Sequence, residues 1–245
     1  YDDDDNEIEV EKILVNDEPS DGSDPDLTEE WNECRAKGRF VADARRFDLI
    51  ETMLFDPQHG IARLDLHLAR LQASAEAFGF VFDRHAVRNE LQAATFRLQA
   101  PAKLRLLLSA QGHIAIEIGA SPPPIEAPVS VAVAPLPVAS SDFRLRHKCT
   151  DRAFYDAARQ ASGQFEVLFY DAQGYLTEGS FTNIFVEREG RLLTPPSSRG
   201  LLPGVLRAEL IQQGRAIEAD LRPDDLAQGF LLGNSLRGLM AAHCA

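Results

Sequence analysis

Five short stretches hold side chains whose type and spacing could do chemistry. Lys148 lies in the polar run Arg146-His147-Lys148-Cys149, just ahead of a predicted helix. A lone lysine there reads first as a solvated surface group, and chemistry would need burial and nearby cations to lower its pKa. Thr177-Glu178-Gly179-Ser180-Phe181-Thr182-Asn183 places a carboxylate at the end of a predicted strand, before a tight turn, although a plain polar turn reads the same way. Gly200-Leu201-Leu202-Pro203-Gly204-Val205-Leu206-Arg207 runs proline and glycine into a helix. The free N–H groups of its first turn sit at the positive end of the dipole, which suits a phosphate. Gly233-Asn234-Ser235-Leu236-Arg237-Gly238 is a small polar turn after an apolar strand, and means little alone. Arg70 borders the apolar stripe of a helix, where it either snorkels to the surface or reaches into a cleft.

These residues need elements to hold them. Residues 47–56 (FDLIETMLFD) read as a strand and Pro57-Gln58-His59-Gly60 as its turn. Leu64, Leu68, Leu71, Ala75 and Phe78 repeat at helical spacing up to Gly79, and a second helix starts at the N-cap Asp83, with Val87, Leu91 and Leu98 inward. LRLLLS and HIAIEI flank Ala110-Gln111-Gly112 as a hairpin, and Ser121-Pro122-Pro123-Pro124 is a stiff linker. The second half opens with strand 129–134. It continues with a helix over TDRAFYDAARQASG and a run of antiparallel strands from Phe165 to Thr194. Helix 204–214 and a late strand FLLGNS complete it. Strands and helices mix without strict alternation, which predicts an α+β or mixed α/β fold.

Charge is unevenly spread. Residues 1–33 hold fifteen acidic residues against Lys12, while the rest has 23 acidic and 24 basic residues and is nearly neutral. Residues 1–30 are therefore expected to be an acidic, disordered leader, followed by a linker and short helix over 31–46. A small N-terminal α/β domain over 47–124 and a larger domain over 125–245, carrying Lys148, are expected next. A nearly neutral body does not suit nucleic acid. No apolar run is long enough to span a membrane. Three cysteines without a CxxC pair, and His67, His147 and Cys149 without ligand spacing, argue for no metal and for a cytoplasmic protein.

Taken in order, HLARL, HK with an arginine four residues on, TEGSFTNIF, GLLPGVLR and GNS resemble the class IV aminotransferase family of fold-type IV pyridoxal-phosphate enzymes, over about residues 47–245. The resemblance implies a two-domain chain, pyridoxal 5'-phosphate in the cleft and a homodimer acting on a small-molecule substrate. It implies that Lys148 carries the cofactor as a Schiff base and that Arg70 grips the phosphate. Glu178 would pair with the pyridine nitrogen. Val205 and Leu206 would give backbone N–H groups to the phosphate, and Asn234 and Ser235 would form its last turn. Arg152 and Tyr155, on the helix after the lysine, would line the substrate pocket.

Within the family, KCTDRAFYD resembles the lysine segment of aminodeoxychorismate lyases, and residues 22–40 resemble the closing segment of the chorismate-using synthase to which such lyases are fused. The implied reaction turns 4-amino-4-deoxychorismate into 4-aminobenzoate and pyruvate, a step of folate biosynthesis, in the lyase part of a fused para-aminobenzoate synthase. The alternatives are a transaminase of branched-chain or D-amino acids and an inactive binding homologue. Many family transaminases carry an Arg-Gly loop near the substrate carboxylate. Here that loop is Ser109-Ala110-Gln111-Gly112, so carboxylate recognition has no assigned residue.

Overall fold

A computed structural model describes residues 47–245. The leader over 1–30 and the linker and helix over 31–46 lie outside the described residues. Chain from Leu49 to Ala120 builds a four-stranded sheet in the order β2-β1-β3-β4, from β1 (Leu49–Asp56), β2 (Gly60–Ile61), β3 (Ala102–Leu108) and β4 (Ile114–Ala120). All its pairs are antiparallel. The sequence explains each step. Asp56 accepts from the N–H groups of Gln58 and His59 to close the first turn. Helix α1 (Leu64–Phe78) lays Leu68, Leu71 and Ala75 into the core beneath Leu49 and Met53, and stops at Gly79 in the left-handed region. Helix α2 (Arg84–Thr95) starts where Asp83 accepts from His85 and Ala86 N–H groups. It ends before Leu98, which packs on the core from beyond the helix.

The second sheet has eight strands, in the order β10-β9-β8-β11-β12-β5-β6-β7. They are β5 (Val129–Pro135), β6 (Glu166–Tyr170), β7 (Leu176–Gly179), β8 (Asn183–Arg188), β9 (Arg191–Thr194), β10 (Ala216–Glu218), β11 (Phe230–Asn234) and β12 (Gly238–Cys244). Helices α3 (Ala153–Ser162) and α4 (Val205–Gln212) pack against it. The hairpins β6–β7 and β8–β9 are antiparallel as the turns predict. The pairs β5–β6, β12–β5 and β9–β10 are parallel, so the sheet is mixed.

Two of its strands are invisible to hydrophobic patterning. β12 is Gly-Leu-Met-Ala-Ala-His-Cys, without strong alternation or β-branched residues, yet it is the central strand between β11 and β5. β10 is three residues long. Helix α3 begins at Ala153, three residues later than its sequence reads, because Thr150 is used elsewhere. Among the described residues no helix is long and apolar enough to cross a membrane.

Candidate active site

Lys148 follows β5 in sequence but is stitched to the first sheet. The Ile50 N–H donates to the Lys148 carbonyl at 2.9 Å, the Thr150 N–H donates to the Asp48 carbonyl at 2.9 Å, and Leu49 pairs with Cys149. The segment thus takes the edge of β1 that β3 leaves free. His147 packs edge-on against Phe78 and meets Ser74 Oγ through Nδ1 at 3.0 Å, which anchors the segment to α1. The Lys148 amine donates to Thr52 Oγ1 at 3.0 Å. Burial pulls its pKa down to about 7; the Glu51 charge opposes this, and the Arg70 and Arg152 charges add to it.

This amine opens on a cavity of about 410 Å³ whose wall also includes Arg70, Arg152, Glu178, Val205, Asn234 and Ser235. Two predicted residues are not on that wall. The side chain of Leu206 packs with Phe185 and Leu210, so only its backbone is available. Tyr155 lies behind Glu178, donating its hydroxyl to Glu178 Oε1 at 2.5 Å. Burial, then the Glu178 charge, pushes the Tyr155 pKa up, so the hydroxyl stays a donor. Burial pushes Glu178 up to about 7 against the Arg152 charge, the Tyr155 hydroxyl and the Leu202 N–H.

Sequence reasoning passed over the residues that position these. Glu51, in the middle of β1, is buried. Its Oε2 meets His67 Nδ1 and Arg70 Nη2 at 2.6 Å each, and its Oε1 accepts Arg70 Nε at 2.8 Å. Burial alone would raise the Glu51 pKa; the Arg70 charge and the His67 hydrogen bond hold it well below the usual carboxylate range. His67 Nε2 meets Ser235 Oγ at 2.8 Å, which links α1 to the turn after β11. Three of the five Arg70 N–H groups are committed, two to Glu51 and one to the Pro203 carbonyl. Arg70 can still offer two, from a fork that cannot swing. Asn234 caps its own turn, accepting from the Leu236 and Arg237 N–H groups, and donates to the Phe181 carbonyl at 3.2 Å.

Glu166 shapes the turn after Glu178. Its carboxyl accepts from the N–H groups of Val167, Ser180 and Phe181 and from the hydroxyls of Ser180 and Thr182. A Cβ at Gly179 would lie 2.5 Å from Thr182 Oγ1 and 2.7 Å from Glu166 Oε2, so glycine is required there. Glycine is likewise forced at Gly204, the N-cap of α4, where a Cβ would lie 1.8 Å from Asn183 Oδ1. Asn183 donates to the Leu202 carbonyl at 3.1 Å, which fixes the loop entering α4. With no side chain capping α4, its first N–H groups are free at the cavity edge. One signal could have found Glu51 and Glu166: each is a lone carboxylate in an apolar strand, and such a residue needs partners.

The donor set fits pyridoxal phosphate. A near-neutral buried amine could bond an aldehyde, and a carboxyl stands on the same cavity wall. Arg70, Ser235 and the α4 N-terminus could hold a phosphate.

The comparisons with known proteins agree. A profile of the family "Amino-transferase class IV" matches residues 48–243. The "Putative aminodeoxychorismate lyase" of Schizosaccharomyces pombe is 31% identical over 202 residues, 78% of this chain and 86% of that protein. A "Probable branched-chain-amino-acid aminotransferase" of Thermotoga maritima is 34% identical over only 62 residues, 25% of this chain and 23% of that protein. Among solved structures, a "Putative amino-acid aminotransferase" from Mesorhizobium loti superposes with a TM-score of 0.76 at 37% identity, covering 81% of this chain and all of that one. A "Putative 4-amino-4-deoxychorismate lyase" from Legionella pneumophila shares the fold at 19% identity, with a TM-score of 0.69 over 80% of this chain and 82% of its own. The chain belongs to the class IV aminotransferase family, and its cofactor is pyridoxal phosphate.

Proposed function

We propose that this chain is an aminodeoxychorismate lyase, splitting 4-amino-4-deoxychorismate into 4-aminobenzoate and pyruvate. The observation that carries the reading is the likeness to the Schizosaccharomyces pombe protein, which runs through 86% of that protein's length. The likeness to the Thermotoga maritima branched-chain enzyme stops after 62 residues.

Bound pyridoxal phosphate supplies an electron sink for the carbon next to the substrate nitrogen. Lys148 Nζ, buried on the cavity wall, would hold the cofactor covalently. Burial pulls the pKa of this amine down to about 7, so near neutral pH it could serve as the base toward the substrate C4 proton. Thr52 Oγ1 holds that amine in place. Glu178, steadied by Tyr155, would hold a proton at the pyridine nitrogen. Arg70, the N–H groups of Val205 and Leu206, and Ser235 would bind the phosphate, with Asn234 shaping that turn. Arg152, laid over the Tyr155 ring at 4.3 Å, borders the substrate space. Loss of the C4 proton would let the C3–O bond break, its electron pair leaving on the oxygen of the enolate while the C3–C4 double bond completes the aromatic ring. The proton from C4 would then go to the methylene carbon of the enolate, which gives pyruvate. No amino acceptor is consumed.

Transamination of a small amino acid is the second reading, favoured by the name of the Mesorhizobium loti neighbour. It shares every step up to proton removal but stops without a keto acid. The test is a long incubation with aminodeoxychorismate and no keto acid. Many equivalents of pyruvate and 4-aminobenzoate per active site are expected. Product that stops at one equivalent, or brisk transamination of D- or branched-chain amino acids with no pyruvate, hands the site to the second reading.

A further inference from the structure

The cavity carries more positive charge than the cofactor groups use. Arg70 is matched by Glu51. Three further arginines, Arg152, Arg159 and Arg237, line the same wall, against the carboxylates Asp156 and Glu178. Arg152 lies over the Tyr155 ring, donates to the Arg144 carbonyl at 3.3 Å and directs its charge at Glu178, whose pKa it lowers against the rise that burial causes. Arg159 and Arg237 are held more loosely. Arg159 reaches Asp156 at 3.5 Å, and that aspartate is 67% exposed, so the pair is weak. Arg237 donates one N–H to the Pro123 carbonyl at 3.2 Å. Most of the five N–H groups of each fork remain for a ligand.

Phe181 brings the two together. Arg159 stands 5.8 Å from its ring centroid. Its carbonyl accepts from Asn234, and Asn234 Oδ1 in turn accepts the backbone N–H of Arg237. Phe181 is 38% exposed, and its ring is braced edge-on by Phe165 at 5.6 Å. Helix α3, the turn after Glu178 and the turn after β11 therefore meet at one rim of the cavity. That rim offers two guanidinium forks and an aromatic face.

We propose that Arg159 and Arg237 are specificity-determining residues that each take one carboxylate of a cyclic dicarboxylate substrate, with Phe181 giving its ring an apolar contact. The proposal deepens the lyase reading and rests on it. Aminodeoxychorismate has one carboxylate on its ring and another on the enolpyruvyl arm, whereas a branched-chain amino acid has one in all. A guanidinium fork matches a carboxylate in two-point geometry. The proposal also supplies the carboxylate recognition that the Ser109–Gly112 loop, which lacks an arginine, leaves unassigned.

The test uses the full-length holoprotein with two probes, chorismate and benzoate. Chorismate has both carboxylates but no amine to react with the cofactor; benzoate has one carboxylate. In calorimetric titrations, Arg159→Gln and Arg237→Gln should each weaken chorismate binding about 10- to 100-fold, the range for a lost charge-assisted bond. At most one of them should weaken benzoate binding. With aminodeoxychorismate, KM should rise by a similar factor while kcat stays within about twofold, as expected for groups remote from the reacting carbon. Arg159→Lys and Arg237→Lys should fall between wild type and glutamine. Unchanged cofactor absorbance and melting temperature would show that the variants fold. Chorismate binding unaltered in both glutamine variants, or benzoate weakened by both as much as chorismate, overturns the proposal. A wild type that binds chorismate through both arginines, yet releases no pyruvate from aminodeoxychorismate, supports this seat and overturns the lyase reading instead.

Discussion

Glu51 and Glu178 are both buried, one in each sheet, and their charge states are pushed in opposite directions. Burial raises both. At Glu51 the Arg70 charge, then His67, reverse the effect and lock the carboxylate on. At Glu178 the Arg152 charge and the Tyr155 hydroxyl do not, and the pKa settles at about 7. Burial therefore does not assign a carboxylate its role; the number and closeness of its cations does. Glu51 is a fixed negative strut that orients Arg70, while Glu178 can exchange a proton near neutral pH. Lys148 is the group both sides serve, because Glu51 raises its pKa and Glu178 stands on the wall of the same cavity.

The largest effect should come from removing that shared group. Lys148→Ala should abolish covalent attachment of pyridoxal phosphate, read as loss of the borohydride-trapped adduct by mass spectrometry. An adduct found at Lys103 in the wild type would place the attachment elsewhere.

Next comes the contrast itself. Glu51→Gln strands Arg70 in the interior and should cost about 3–5 kcal/mol, the usual result of breaking a buried pair. Glu178→Gln should leave the apo-protein at pH 8 as stable as wild type or more so, by up to about 3 kcal/mol. The signs follow from the shifts. Glu178 has its folded pKa above the unfolded 4.5, so the folded apo-protein loses stability as pH rises from there to about 7. Glu51 has its folded pKa below the unfolded value, so its contribution is complete above the ordinary carboxylate range and fades as pH falls. Equal losses of melting temperature in the two variants would erase the distinction.

A smaller change is expected at Arg70. Arg70→Ala should weaken cofactor affinity about 10- to 150-fold, since a charge-assisted bond is worth about 1.5–3 kcal/mol. Unchanged affinity in a folded variant would remove it from the phosphate site. Smallest is a pH effect. The rate of cofactor uptake by apo-protein needs a neutral Lys148, so it should climb up to about pH 7 and then level. Glu51→Gln should move that midpoint lower, because the Glu51 charge holds the lysine proton on. A midpoint near the ordinary lysine value of 10.5 in the wild type would contradict the buried amine.

Much of this was legible in the chain. Apolar periodicity gave α1, the Asp83 cap gave α2, and Ala110-Gln111-Gly112 gave the β3–β4 hairpin, because each depends on contacts a few residues apart. Of the nine predicted site residues, Lys148, Arg70, Glu178, Val205, Asn234, Ser235 and Arg152 do reach one cavity wall. Tyr155 and the side chain of Leu206 do not, since helical neighbours point to different faces. β12 was missed because an alanine-rich strand earns its place from its two neighbours rather than from its own pattern.

The sequence by itself determined the helices and hairpins, the order of the motifs and their family. It also determined the glycines at 179 and 204, though not the reason for them. Only the tertiary structure decided that Lys148 rides on β1, that His67 joins Glu51, 16 residues away, to Ser235, 168 residues away, and that Arg159 and Arg237 share a rim. The physical reason is range. Turns, caps and helical stripes are set by neighbours along the chain, whereas a side chain's pKa and reach are set by desolvation and by charges that only folding brings near.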